Sequence, residues 1–170
     1  MPHTDPALLD RLSALFAARD RDDMAPTIRA LLAVLAEHPD DPHVLYEVGG
    51  AYDTAGEEEN AAGYYEQALD RGLEGDTLRR CLLQYGSTLR NLGRFDESLA
   101  VLDRALSLFP ESVSVRVWHA LSLHAAGRSD AAVAELMEVA ADGIRTPDLL
   151  RYEAAIRGNA AYLRSVDAGA

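Results

Sequence analysis

Apolar residues recur along the chain at the three- and four-residue spacing of amphipathic helices. Two successive stripes show this spacing most clearly: Leu78, Leu82, Tyr85, Leu89 and Leu92, and then Phe95, Leu99, Leu102 and Leu106. Each stripe can bury one face of a helix, and only a short turn separates the two stripes. The pattern therefore predicts pairs of antiparallel helices and an all-α fold.

The helical pairs repeat along the chain, and glycines mark the period. Gly56, Gly93 and Gly127 are separated by 37 and then 34 residues. Small or apolar residues recur around each glycine: Gly49, Gly86 and Ala120 seven residues before it, Tyr52, Leu89 and Leu123 four before it, and Tyr65, Leu102 and Leu136 nine after it. A fixed period of this kind is typical of stacked helical hairpins. We expect the three extra residues of the longer step to lengthen the loop at 71–76.

The repeated pattern resembles the tetratricopeptide repeat (TPR). Its most complete copy contains Tyr85-Gly86, Leu89, Gly93-Arg94-Phe95, Leu102, Ala105 and Pro110. The resemblance implies an α-α superhelix, a right-handed solenoid of about four helical hairpins with a C-terminal capping helix, as a single domain over 1–170. Its parts would be a degenerate repeat at 5–39, repeats at 42–75, 79–112 and 113–146, and the capping helix at 147–166.

The predicted capping helix begins at Pro147, where Thr146 can cap its first turn. We expect this helix to cover the exposed apolar end of the stack. Its outer face would be polar, with Arg151, Glu153, Arg157 and Arg164 as the residues that provide the charge.

One segment contradicts the helical pattern locally. Val113, Val115 and Val117 alternate with polar residues, which taken alone is typical of a strand. The repeat period places a helix at the same residues. We therefore predict a helix that starts after Pro110, with Glu111 or Ser112 near its first turn.

Charge and cysteine content narrow the function classes. The chain has 28 acidic and 16 basic residues, a formal charge of −12, which opposes binding to nucleic acid and to anionic membranes. The single cysteine, Cys81, allows no internal disulfide and is expected to be buried.

All 16 basic residues are arginine, a bias typical of GC-rich bacteria. Residues 1–6 lack the pattern of a secretory signal, and no apolar run is long enough to span a membrane. We expect a bacterial cytoplasmic protein.

The resemblance also places a candidate binding site. In the family, the first helices of successive pairs line a concave face that binds segments of other proteins. The residues at those positions are Tyr46, Arg80, Leu83, Gln84, Ser87, Arg90, Asn91, Val117, Trp118, Leu121, His124 and Tyr152. Arg80 and Arg90 suit a carboxylate, and Trp118 with Leu121 and Tyr152 suits an apolar side chain. The alternative is that Trp118 packs between helices and the arginines pair with nearby carboxylates. The lysine, asparagine and arginine set with which some relatives bind a C-terminal carboxylate is absent.

The sequence contains no pattern that favours catalysis. His119 and His124 are five residues apart, rather than the four that place two metal ligands on one helix face. Glu57, Glu58 and Glu59 follow a turn glycine and suit a helix start. We predict a non-enzymatic protein–protein interaction scaffold, without metal or cofactor, that binds a peptide or protein segment in its groove. The alternative is a structural protein that forms a homodimer or larger oligomer through the groove or the array edge. A third hypothesis, which the sequence does not favour, is an enzyme that acts through His119, His124 or Cys81.

Overall fold

The computed structural model describes residues 5–168, so the features noted at residues 1–4, and residues 169–170 of the expected domain, lie outside the described residues. Within that range the chain forms nine α-helices and no strand, which confirms the all-α prediction. The helices are α1 (Pro6–Ala17), α2 (Ala25–Glu37), α3 (Pro42–Thr54), α4 (Glu58–Asp70), α5 (Gly75–Asn91), α6 (Phe95–Leu108), α7 (Val113–Ala125), α8 (Ser129–Gly143) and α9 (Pro147–Ala168).

The helices form two compact units that divide between Leu92 and Gly93. In the first unit, α3 packs on both α2 and α4, and α4 packs on α5. Its apolar core joins the first three helices and includes Leu8, Leu12, Ile28, Leu31, Val34, Val44 and Val48. In the second unit α7 packs on α6 and α8, and α8 also packs on α9. Each unit is thus a set of antiparallel helices that bury their apolar stripes against their neighbours.

Two kinds of glycine serve the repeat. Gly56, Gly93 and Gly127 follow the first helix of the second, third and fourth pairs with φ of 75°, 76° and 82°, a left-handed conformation that favours glycine. Gly49 instead allows a close approach between α3 and α4, since an added Cβ would lie 2.8 Å from a ring carbon of Tyr65. The glycine and small-residue positions of the repeat therefore have the physical roles that their spacing predicts.

The valine-rich segment is helical, as predicted. Helix α7 begins at Val113, and the hydroxyl of Ser112 accepts a hydrogen bond of 3.4 Å from the Val115 backbone N–H. Val115 is fully buried. The alternation of valines is thus overridden by burial at the helical period.

The prediction that the longer repeat step lengthens a loop is wrong. The connection between α4 and α5 covers only residues 71–74, and the equivalent connections at 38–41 and 109–112 are equally short. Helix α5 has 17 residues, whereas α3 and α7 have 13 each. The extra residues therefore add about one helical turn to α5, which an Asp76–Arg79 salt bridge of 2.7 Å supports in the first turn.

The last helix is present but packs differently from the expectation. Thr146 caps its start by accepting a 3.3 Å hydrogen bond from the Leu149 N–H. Arg157 and Arg164 were expected to face outward, but they form salt bridges with Asp142 at 2.9 Å and Glu135 at 3.2 Å on α8. Arg157 stays exposed while it binds the exposed Asp142, whereas Arg164 is half-buried against the buried Glu135 and therefore does not belong to a free outer face. The expected cover of the apolar end is also incomplete, since Val133 and Leu136 of α8 are exposed.

Candidate functional site

A cavity in the first unit brings together part of the predicted site. Helices α3 and α5 and the turn after α1 surround a volume of about 140 Å³. Tyr46, Arg80 and Gln84, all predicted, contribute to its lining. Six further lining residues are Phe16, Arg19, Arg21, Met24, Glu47 and Asp53. The cavity is thus walled by arginines, carboxylates and apolar side chains.

One wall is formed by Tyr46 and Arg80. The guanidinium carbon of Arg80 lies 5.6 Å from the ring centroid of Tyr46, within the range of a cation–π contact. Tyr46 is buried, and burial raises its pKa to about 12. Arg80 is half-buried, and none of the salt bridges of the described helices includes it. Its guanidinium therefore keeps hydrogen-bond donors for a carboxylate that enters the cavity.

Another part of the lining comes from the degenerate first repeat. The guanidinium carbon of Arg19 lies 3.5 Å from the ring centroid of Phe16, and Arg21 lines the same cavity. These three residues were absent from the predicted site. Phe16 lies near the end of α1, and Arg19 and Arg21 lie in a turn that has no counterpart in the glycine-turn pattern. The concentration of arginines in an acidic chain is the signal that could have found them.

The cavity also contains carboxylates. Burial raises the pKa of Glu47, and the nearby charges of Arg80 and Arg19 counter part of the rise. Burial likewise raises the pKa of Asp53, although its carboxylate accepts hydrogen bonds from Thr88 at 3.1 Å and Tyr65 at 3.4 Å. A ligand carboxylate would therefore favour the arginine side of the cavity over the Asp53 side.

The other predicted residues of α5 have a different setting. Arg90 donates hydrogen bonds to Ser87 at 3.0 Å and to the Asn91 side chain at 3.3 Å, and Asn91 donates to Glu58 at 2.9 Å. Burial lowers the pKa of Arg90. None of Ser87, Arg90 and Asn91 lines the cavity, and Leu83 is half-buried outside it. Arg80 lines the cavity and Arg90 does not, so the two arginines do not share one pocket as predicted.

The remaining predicted residues belong to the second unit. Val117 and Trp118 are half-buried on α7, and Leu121 and His124 are exposed there. His124 Nδ1 lies 3.2 Å from the Ser129 hydroxyl. Tyr152 is exposed on α9 beside Arg151. Within the described part of this unit α9 packs on α8 and not on α7, so the structure does not build a shared shelf from Trp118 and Tyr152.

The second unit contains a buried ionic cluster that the sequence pattern did not predict. Glu135 is 6% exposed and lies 3.1 Å from Arg116 Nε, 3.2 Å from Arg164 Nη2 and 3.7 Å from His119 Nδ1. Burial opposes ionisation of Glu135, but these three contacts outweigh it and lower its pKa to about 2. His119 Nε2 lies 3.2 Å from Asp103. We call Arg116, His119, Glu135 and Arg164 the ionic cluster. The two arginines neutralise Glu135, as expected for a structural site, whereas the buried Nδ1 of His119 has no hydrogen-bond partner among the described residues.

The thiol of Cys81 is engaged in packing. Cys81 is buried, with its sulfur 3.8 Å from the Tyr65 carbonyl oxygen. Across residues 5–168, no group of three or more His, Cys, Asp or Glu side chains is placed to hold a metal ion. The described helices also include none with the length and apolar character needed to cross a membrane.

Comparison with known proteins agrees with this architecture. A family model described as "Tetratrico peptide repeat" matches residues 42–163, and a second, "Tetratricopeptide repeat", matches residues 9–74. The solved structure of MamA AMB-1 is similar in fold, with a TM-score of 0.61 and 22% sequence identity, over 78% of this chain and 90% of that chain. No curated protein matches the chain. Because the first family model covers well over half of its residues, the chain belongs to the tetratricopeptide-repeat family.

Proposed function

We propose that this tetratricopeptide-repeat scaffold is a non-enzymatic module that binds a segment of another protein at the cavity of its first unit. Repeats of this family act in protein–protein interaction, and the lining of the cavity supports binding of a partner segment at that position. The observation that carries the proposal is Arg80, which is half-buried at the cavity, lies at a cation–π distance of 5.6 Å from the Tyr46 ring and forms no salt bridge within the described helices. Arginine and tyrosine are among the residues that contribute most to protein interfaces.

The size and lining of the cavity favour a side chain as the ligand. Its volume of about 140 Å³ lies below the roughly 300–1,000 Å³ of small-molecule pockets. Arg80, Arg19 and Arg21 suit a carboxylate, while Phe16 and Met24 suit an apolar side chain. The partner segment would therefore carry an acidic residue close to an apolar one.

The second unit provides a separate proposed contact. Val117, Trp118, Leu121 and His124 share α7, and Leu121 and His124 are exposed there. A tryptophan next to an exposed leucine suits an apolar side chain of the partner. Tyr152, exposed on α9, is a further candidate contact by itself.

Capture from a lysate of the native host tests the cavity. We expect Arg80→Glu to lower the recovery of specific partners at least about tenfold, because it places a third carboxylate beside Glu47 and Asp53. Arg29→Glu is the matched control, since Arg29 is an exposed arginine of the same unit that does not line the cavity. Quantitative mass spectrometry measures recovery, and circular dichroism checks the fold.

Equal recovery by wild type, Arg80→Glu and Arg29→Glu would contradict the cavity as the binding site. Trp118→Ala tests the second unit separately. Loss of partners with Trp118→Ala alone would move the site to α7.

A further inference from the structure

Helix α8 exposes a face that its counterparts in the chain bury. Tyr65 and Leu102 occupy the position nine residues after the turn glycine and are 0% exposed, whereas Leu136 at the same position is 41% exposed. Val133 is 48% exposed, although its counterparts Ala62 and Leu99 are buried or half-buried. Val133, Leu136 and Ala140 follow one another at helical spacing, and the exposed Ile144 follows directly after the end of α8. We call these four residues the α8 end face.

A following helical pair covers the equivalent face wherever the repeat continues. Tyr65 lies against α5, where its ring is 6.4 Å from that of Tyr85 and its hydroxyl is 3.4 Å from Gln84. Leu99 packs against a cluster of Leu123, Ala131 and Ala132, which the next pair supplies. The α8 end face therefore has the chemistry of an internal interface between hairpins but lacks the next hairpin.

Helix α9 does not take that place. It packs on another side of α8, where Ala160 is fully buried and Arg164 and Arg157 bind Glu135 and Asp142. Arg128 and Asp167 close the opposite end of the two helices at 3.1 Å. These ion pairs hold α9 to the carboxylate side of α8 and leave the apolar side uncovered.

We propose that the α8 end face binds the same face of a second copy of this chain, and that the two copies are related by a two-fold axis. Continuity with the interface between hairpins argues for a helical partner of the same type. The small side chain of Ala140, one helical turn after Leu136, also lets two helices approach closely. Because a two-fold contact closes on itself, the product is a dimer.

The first helical pair is a poorer partner for this face. The residues that occupy the positions of Leu123, Ala131 and Ala132 there are Ala18, Pro26 and Thr27, next to the charged turn Arg19-Asp20-Arg21-Asp22-Asp23. Helix α1 exposes Leu9 at 37% and Phe16 at 44%, but the guanidinium carbon of Arg19 covers the Phe16 ring, 3.5 Å from its centroid. Electrostatics agree with pairing of like faces, because Glu135, Glu138 and Asp142 of α8 are neutralised by arginines on the side that α9 covers.

Sedimentation of the full chain over a range of concentrations tests the proposal. We expect wild type to dissociate from dimer to monomer on dilution, and Leu136→Glu to raise the dissociation constant at least about tenfold. Tyr162→Glu is the matched control, because Tyr162 is an exposed aromatic residue of α9 outside the face. We expect it to dimerise like wild type. A wild type that is monomeric at all concentrations, a Leu136→Glu form that dimerises unchanged, or growth beyond a dimer would each overturn the proposal.

Cysteine cross-linking is a second test, and it does not require the protein to tolerate an introduced charge on α8. The native Cys81 is buried, so an introduced thiol is the reactive one. Under mild oxidation we expect Ala140→Cys to form a covalent dimer, and Ser165→Cys on α9 to stay largely monomeric. A reversed outcome would place the contact on α9. Arg80→Glu leaves the dimer intact under this proposal, so failure of the cavity and failure of the dimer are distinguishable.

Discussion

Helices α3 to α5 and helices α7 to α9 follow the same repeat, yet they bury different chemistry at the same positions. Leu45 and Leu82 are buried in the first unit, and Arg116 occupies their position in the second. Likewise Glu135 stands where the repeat has Tyr64 and Val101. The comparison shows that one helical period is compatible with an apolar core and with an ionic one.

The two kinds of core differ in what they can accept as a neighbour. An apolar surface packs against any helix that offers complementary shape, whereas a buried carboxylate needs positive partners at defined distances. In the second unit those partners lie on α7 and α9, through Arg116 and Arg164. The ionic cluster thus selects the side of α8 to which α9 binds.

Removing an apolar side chain of the first unit has the largest expected effect. Leu82 is fully buried, and Leu82→Ala is expected to lower the free energy of unfolding by about 3–4 kcal/mol through lost transfer energy and a cavity. Chemical denaturation followed by circular dichroism measures the loss. Leu78→Ala, at a half-buried position of the same helix, is the control and is expected to cost less. Equal losses would show that the stripe of α5 is not the core of this unit.

Breaking the ionic cluster comes next. Arg116→Leu leaves Glu135 buried with fewer partners, and we expect a loss of about 3 kcal/mol in the second unit. The double variant Arg116→Leu with Glu135→Val installs Leu and Val, the residues found at Leu82 and Val101, and is expected to recover most of that loss. Fluorescence of Trp118, the single tryptophan, follows unfolding of this unit. A double variant as unstable as Arg116→Leu would contradict the comparison.

The half-buried Glu47 of the first unit and the buried Glu135 of the second have pKa shifts of opposite sign. The lowered pKa of Glu135 means that its stabilising contribution is present above its ordinary value near 4.5 and is lost as pH falls towards about 2. The raised pKa of Glu47 has the opposite sign, so its contribution is present at low pH and is lost as pH rises through the raised value. We therefore expect acid to loosen the second unit first, by about 2–3 kcal/mol from Glu135.

Amide hydrogen exchange, measured separately for each helix, tests this difference in acid sensitivity between the two units. Between pH 6 and pH 3, after correction for the intrinsic rate, we expect α8 to lose protection while α3 keeps it. Glu135→Gln is the control and is expected to flatten the pH response of α8. Loss of protection in α3 before α8 would reverse the assigned signs.

Glycine substitutions provide the smallest predicted effects. Gly127→Ala is expected to destabilise the second unit by about 1 kcal/mol, because φ is 82° at that turn. Gly158→Ala, inside α9 with open space around its Cβ position, is expected to stabilise the same unit by about 0.5–1 kcal/mol. Thermal unfolding measures both shifts. Shifts of the same sign would mean that backbone conformation is not what distinguishes the two sites.

The candidate site was predictable only in part. Tyr46, Arg80 and Gln84 follow from repeat position and do line the cavity. Arg19 and Arg21 lie in an irregular turn, so no period relates them to α3 or α5. Arg90 has the expected repeat position, but its hydrogen bonds to Ser87 and Asn91 hold it outside the cavity.

Sequence alone determined the helices, the turns at Gly56, Gly93 and Gly127, and membership of the repeat family, because each depends on residues close together in the chain. Tertiary structure decided where the extra turn of α5 forms, which arginines meet in the cavity, and which side of α8 receives α9. Those outcomes depend on contacts between distant residues, such as Arg116, Glu135 and Arg164. Their free energy is set by burial and distance, which a local period does not encode.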